Sequence, residues 1–380
     1  TRYNAIARQQ LTELLTRYGE MVEIWFDGSS VVPVGDILSA HAPGAMIFQG
    51  PHATIRWVGN EDGFAPYPAW NSVARIDAAT GIATAIHGDP AGEVWLPNEV
   101  DVSIRRPDWF WHTDNEHRLL GLDALVDIYY RSVGRGAQLL LNLPPDRTGR
   151  IPAPDAARAA EFGAAIRRRF GRPIAEAGPA EGPETMLDLG GSRRVDHVVI
   201  EEGIEGGEAV RRYRLEARSG NGWIRVGTGS AIGHKRIQPV GPLEATAVRL
   251  AVEAAAGPVR IRRLAAFDTG VAPPGDWNAP TGVWSDDDAG RWQNGVADVD
   301  LTARITAVGT YRVRFVGRDG PATLRDPVLT VGGTPSPHLV RRDPGRGDVV
   351  FITISEIGQP IRLRSPVAGS RAGSVVIRRA

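Results

Sequence analysis

The 380 residues carry 44 Lys plus Arg against 44 Asp plus Glu, a formal net charge of zero. That balance gives no electrostatic reason for a nucleic-acid partner or an anionic membrane surface, and no run of about 18 apolar residues is present to span a bilayer. The absence of cysteine excludes disulfides, thiolate metal sites and a Cys nucleophile. The chain opens at Thr1 without Met or an apolar leader, so a processed or incomplete N-terminus is expected. A periplasmic or secreted location is expected separately, with no signal peptide in these residues.

Over residues 1–175 helical and strand patterns alternate, the mark of parallel βα units. Residues 4–18 form an amphipathic helix with Ile6, Leu11, Leu14, Leu15 and Tyr18 on one side, and Gly19 as its C-cap. Strands follow over Val22–Phe26, Ala45–Gln49 and Glu93–Ile104, then a helix over Leu122–Val133 and an almost wholly apolar strand over Ala137–Leu143. Pro144-Pro145 breaks that strand, and Pro154–Phe170 is a long helix rich in Ala and Arg. Residues 175–184 are rich in Gly, Pro, Ala and Glu and predict a linker.

Beyond it the pattern becomes all-β. Short alternating strands are predicted over Val195–Glu201, Tyr213–Arg218, Trp223–Gly227, Val248–Val252 and Ile261–Phe267, spaced as in an antiparallel sandwich. A Pro- and Gly-rich junction at Gly270–Gly275 precedes a second such region, with strands near Val299–Ile305, Tyr311–Val316, Val328–Val331, Val349–Ile354 and Ser374–Ile377. The expected domains are therefore 1–175, α/β and barrel-like, followed by β-sandwiches at 176–269 and 270–380.

Two motifs carry the chemistry. Ile24-Trp25-Phe26-Asp27-Gly28 and Arg56-Trp57-Val58-Gly59-Asn60-Glu61 each end a β-prone run with a carboxylate close to an aromatic. Acids delivered by the C-terminal ends of barrel strands are how a sugar-cleaving site obtains the two carboxyls it needs on either side of an anomeric carbon. Asp27 is the expected nucleophile and Glu61 the expected acid/base. Glu99 and Asp101 stand two apart on one strand and share a face; Glu99 is taken as a substrate contact, with a salt bridge to Arg105 or Arg106 the competing reading. Trp109-Phe110-Trp111-His112 is an aromatic wall for stacking on a sugar or for packing. No His, Asp and Glu set has metal-ligand spacing, so no metal and no cofactor are expected.

At these residues the chain resembles the α-L-fucosidases of glycoside hydrolase family 29, most closely the branch acting on α-1,3/1,4-linked fucose. The matching stretches are Gln10–Gly19, Glu23–Gly28, Ile55–Glu61, Trp95–Arg105, Trp109–His112, Ser132–Arg135 and Leu139–Asp146, in order across about 150 residues. The resemblance implies Asp27 as nucleophile of a retaining mechanism and Glu61 as acid/base. It also implies Trp25 and Arg56 as fucose-pocket contacts; with Trp57, Glu99 and Trp109 they are the expected contacts to a fucosylated oligosaccharide or glycoconjugate. Residues 184–268 resemble the discoidin-like module of that branch through Ile200–Ile204, Trp223 and Ser230–Ile237, and a packing brace for the barrel is the preferred reading of its role.

The family's first barrel half, with its His-His-Asp-Gly-Phe motif, has no counterpart; none of the eight His here adjoins another. The fold class expected is thus the C-terminal half of a (β/α)8-type barrel followed by two β-sandwich domains. The N-terminal half is expected as a separate chain, a processed fragment or preceding sequence. The alternative is a glycan-binding or structural protein with an incomplete, inactive barrel.

Overall fold

Thr1 caps the first helix, α1 (Arg2–Arg17), by accepting the Asn4 N–H at 3.2 Å, and Arg17 sits in the last turn, where the helix dipole favours a cation. The computed structural model describes residues 1–27, 32–73, 75, 88–271, 291–292, 294–302, 305, 309–317, 322–341, 348–354, 358–370 and 372–379. Gly28 of the first motif lies outside the described residues, as does most of the predicted junction, residues 272–275.

Strand β1 (Glu23–Trp25) pairs in parallel with β2 (Met46–Phe48), Ile24 opposite Ile47. Between them runs α2 (Gly35–His41), a helix the sequence pattern does not show because its seven residues are too few for a periodicity. A parallel bridge from Phe48 to Ile55 carries the sheet on to β3 (Arg56–Trp57). The predicted strand over 93–104 is divided at Pro97, which has no N–H for a ladder. Its first part, β5 (Val94–Trp95), pairs antiparallel with β4 (Ser72–Val73). Its second part, β6 (Asn98–Ser103), lies parallel between β3 and β7 (Gln138–Asn142). The run β1-β2-β3-β6-β7 is parallel throughout, so the carboxyl ends of these strands share one edge. Two helices, α3 (Leu122–Arg131) and α4 (Ala153–Phe170), accompany the last strands.

The predicted linker is instead part of a sheet. β8 (Ala175–Ala177) and β9 (Ala180–Glu181) both pair with β14 (Arg260–Phe267) at the edge of a seven-stranded antiparallel sheet. Its Gly and Pro residues mark the turn between two short edge strands, and turn composition alone does not tell such a turn from a linker. The sheet also contains β10 (Glu184–Glu202), β11 (Val210–Ser219), β12 (Gly222–Gly229) and β13 (Arg236–Ala255). β10 and β13 are far longer than predicted. Irregularities between Asp188 and Arg193 and between Val195 and His197 bend the pair without ending it, helped by the positive φ of Gly190 and Gly191. Leu187, Val198, Ile200, Tyr213, Leu215, Leu250 and Leu264 fill its core.

Val199, Ile237, Ala265 and Phe267 of this sheet pack against Val126 and Tyr130 of α3 and Ala165 of α4. Seven such buried side chains give on the order of 10 kcal/mol of gross apolar burial. Polar ties fix the orientation. The Tyr130 hydroxyl lies 2.9 Å from His197 Nε2, His197 Nδ1 lies 2.8 Å from Asp196, and Asp196 accepts the N–H groups of Thr269 and Gly270.

Two compact units are present: residues 1–65 with 69–277, and residues 66–68 with 278–380. In the second, Gly309–Gly317 pairs with Val349–Ile354 and Gly373–Arg379, while Ile361–Ala368 pairs with Val296–Asp300 and Val328–Val331. Leu301, Val313, Phe315, Leu329, Ile352, Leu363 and Ile377 fill its core. The strand at Ile361–Ala368, which alternates buried and exposed, was not predicted. Its Arg362 and Arg364 interrupt the apolar run.

Candidate active site

Period-two alternation sends Glu23 and Trp25 to one side of the first parallel strand. Trp25 stacks on Phe48 of the neighbouring strand, with ring centroids 3.8 Å apart and planes within 6°. Its indole N–H points at two carboxyls, Glu23 Oε1 at 3.0 Å and Glu99 Oε1 at 2.9 Å. Asp27 lies just past the strand and is exposed.

Strand register places Trp57 beside Glu99 and Glu99 beside Gln138. The Trp57 N–H donates to Asp101 Oδ1 at 2.6 Å, and the Trp109 N–H donates to Glu61 Oε2 at 3.1 Å. Each of three indoles thus serves a carboxyl. Asn142 holds the Trp109 carbonyl at 2.9 Å. Arg106 faces the same corner, 3.9 Å from Glu61 and 3.2 Å from Asp62. Asn60 shapes the loop by donating to the Phe64 carbonyl and accepting the Asp62 N–H.

Electrostatics separates the carboxyls. Glu99 is fully buried, and burial followed by the neighbouring Glu23 pushes its pKa up to about 8. Asp101, 4% exposed, is raised by burial to about 6, with Glu61 adding to the rise and the Trp57 hydrogen bond opposing it. Glu61 remains half-exposed at its loop.

The expected residues therefore divide. Trp25, Trp57, Glu99, Glu61 and Trp109 are tied to this carboxyl-bearing edge by hydrogen bonds, and Asp27 ends the strand that carries Trp25. Arg56 is placed elsewhere: fully buried, it donates to the Trp70 carbonyl at 2.5 Å. Arg105 bonds to neither Glu99 nor Asp101. It forms a buried bidentate pair with Asp155 of α4, which corrects the salt-bridge alternative for Arg105; Arg106, ion-paired with Glu61 and Asp62, acts on Asp101 only through its charge. Glu23 and Gln138 join the site although sequence reasoning assigned them no role, and Asp101 joins it beside Glu99, whose face it was expected to share. The spacing Glu23-x-Trp25-x-Asp27 was the available signal for Glu23.

Indoles and carboxyls meeting on one parallel sheet, with Asp27 and Glu61 beyond the carboxyl ends of β1 and β3, are the equipment of the glycoside hydrolase class. Residues 1–169 match the family model described as Alpha-L-fucosidase. Alpha-L-fucosidase 1 of Arabidopsis thaliana is 30% identical over 302 residues, covering 67% of this chain and 59% of that protein. A crystal structure from Bacteroides thetaiotaomicron VPI-5482 superposes with a TM-score of 0.65 at 36% identity, over 70% of this chain and 64% of that one. A glycoside hydrolase 29 family member from an unknown rumen bacterium matches the fold at a TM-score of 0.62 and 23% identity, over 100% of this chain and 73% of its own. The chain belongs to the alpha-L-fucosidase family. It spans 59% of the length of the plant relative.

Proposed function

We infer that this chain supplies the acid-bearing part of a retaining exo-α-L-fucosidase. Asp27 attacks the anomeric carbon while Glu61 protonates the departing glycosidic oxygen. Water then cleaves the fucosyl ester with Glu61 acting as base. The observation that carries this reading is the placement of Asp27 and Glu61 after parallel strands on one edge, with Trp109 donating to Glu61 Oε2. A donor on one oxygen of Glu61 leaves the other free to carry the transferable proton. Trp25 and Trp57 would give the sugar an apolar wall, and Trp109 would border the leaving-group side. Arg56 would act on the fucose pocket from behind, through the backbone at Trp70.

The parallel sheet is a candidate for completion by further βα units, giving the (β/α)8-type barrel of which this chain would be the C-terminal half. Among the described residues β1 pairs with β2 alone, Val22 is 80% exposed, and α1 exposes Tyr3, Ile6, Leu14 and Tyr18. A bare strand edge beside an apolar helix face is costly in water. The seven-stranded sheet would be the discoidin-like module, serving as a brace through its contact with α3 and α4. The substrate class would be glycans with terminal α-1,3/1,4-linked fucose, met in the periplasm or outside the cell.

The test is hydrolysis of an aryl α-L-fucoside by the 380-residue chain, alone and mixed with an N-terminal half-barrel from a family member. Turnover in the mixture, with the α-anomer of fucose as first product, is expected. The β-anomer as first product would exclude a retaining mechanism, and full activity of the chain alone would remove the need for completion. Binding of fucosylated glycans without any turnover would favour the glycan-binding alternative.

A further inference from the structure

Glu23 lies two residues before Trp25 and four before Asp27, and the mechanism gives it no task. It stands with Glu99 on either side of one indole N–H, 3.0 Å and 2.9 Å away. Two carboxylate oxygens accepting one hydrogen at those distances are close neighbours, and two negative charges so placed repel strongly in a buried site.

The surroundings supply nothing to relieve that repulsion. Asp101 on the same strand as Glu99 adds negative charge, and from the facing strands come Trp25, Phe48, Trp57 and the neutral amide of Gln138. No Lys, Arg or His among the described residues makes an ion pair with either glutamate. Gln138 Nε2 donates to Glu23 Oε2 at 3.1 Å, which favours the charge on Glu23. No donor reaches the buried Glu99 Oε2. A proton on Glu99, directed at Glu23, satisfies that oxygen and removes one of the two charges together.

We propose that Glu23 and Glu99 form a proton-sharing carboxyl pair that clamps the Trp25 indole as a wall of the sugar pocket, so that Glu23 is a positioning residue of the site. The inference rests on the fucosidase reading for the meaning of the pocket, not for the existence of the pair. Trp25 held on Phe48 at one face and on two acids at its N–H has one orientation. When the shared proton leaves, the two carboxylates repel and their joint hold on the indole loosens. The burial-driven rise of the Glu99 pKa to about 8 agrees with the geometry.

The experiment is infrared difference spectroscopy of the 380-residue chain, following the carbonyl stretch of protonated carboxylic acid from pH 5 to 10. The wild-type chain should show at pH 7 a component that is missing from Glu99→Gln and that titrates at about pH 8. In Glu23→Gln the same component should persist at low pH but titrate lower by about one pH unit or more, since the neighbouring charge is gone. Absence of the component at pH 7, or a titration that Glu23→Gln leaves in place, overturns the proposal. If Glu99→Gln does not fold, the displacement between the wild-type chain and Glu23→Gln decides alone. Turnover of an aryl fucoside is measured separately, in the mixture with the N-terminal half-barrel: its absence with the carboxyl signal intact strikes only the glycosidase reading, and the reverse outcome strikes only the pair.

Discussion

The parallel sheet and the seven-stranded antiparallel sheet spend their interiors differently. Strand β6 is buried at all six positions, yet Asn98, Glu99, Asp101 and Ser103 are among them. Strand β11 has Val210, Tyr213, Leu215 and Ala217 buried, with charged residues between. β6 buries carboxyls at a cost that packing must offset, while β11 is built for cohesion; the antiparallel sheet confines its own buried acids to β10, at Asp196, Glu201 and Glu202. The contact of Phe267 and Val199 with α3 and α4 links the antiparallel sheet to the helices that accompany the parallel one. A site with raised carboxyls is thus held from outside its own sheet.

Breaking the chemistry should give the largest effects. In the completed enzyme, Asp27→Ala should lower kcat on the order of 10⁴-fold, and azide should restore turnover as β-fucosyl azide. Retention of substantial activity would remove Asp27 from its role. Glu61→Gln should cost roughly 10²–10⁴-fold with a poor leaving group and far less with an activated aryl fucoside, which a leaving-group series reads directly.

The supporting contacts come next. Arg105→Met leaves Asp155 buried without its bidentate partner and should cost about 3–5 kcal/mol in urea unfolding. Tyr130→Phe removes the partner of His197 Nε2 at the contact between the sheets. A loss of about 1–3 kcal/mol is expected there, with little change in kcat. Equal destabilisation by the same change made in the isolated parallel region would deny the brace.

The smallest effect is on pH. Glu99 is favoured as the neutral acid in the folded chain, its pKa raised from an ordinary value near 4.5 to about 8. Its contribution to stability is therefore complete below the unfolded value and is lost as pH rises through about 8. Denaturation midpoints should fall as pH rises from about 5 to about 8 and level off above that, and Glu99→Gln should flatten the slope.

Much of this was legible in the sequence because the signals were local. The helix at Arg2–Arg17, the strand at Gln138–Asn142 and both carboxyl motifs follow from periodicity and from acids at strand ends. Pairing information was not local. Nothing in Ala175–Glu181 reveals that β14 waits beside it, and nothing near Arg56 reveals the Trp70 carbonyl that takes its guanidinium. The joint hold of Glu23 and Glu99 on one indole spans 76 positions and exists only once the sheet has formed.

Mechanism-based labelling asks the central question most directly. The completed enzyme would be treated with a 2-deoxy-2-fluoro-fucosyl fluoride and its peptides mapped by mass. The account predicts one fucosyl ester, carried by Asp27. A label on another carboxyl, or steady turnover with none trapped, would contradict it.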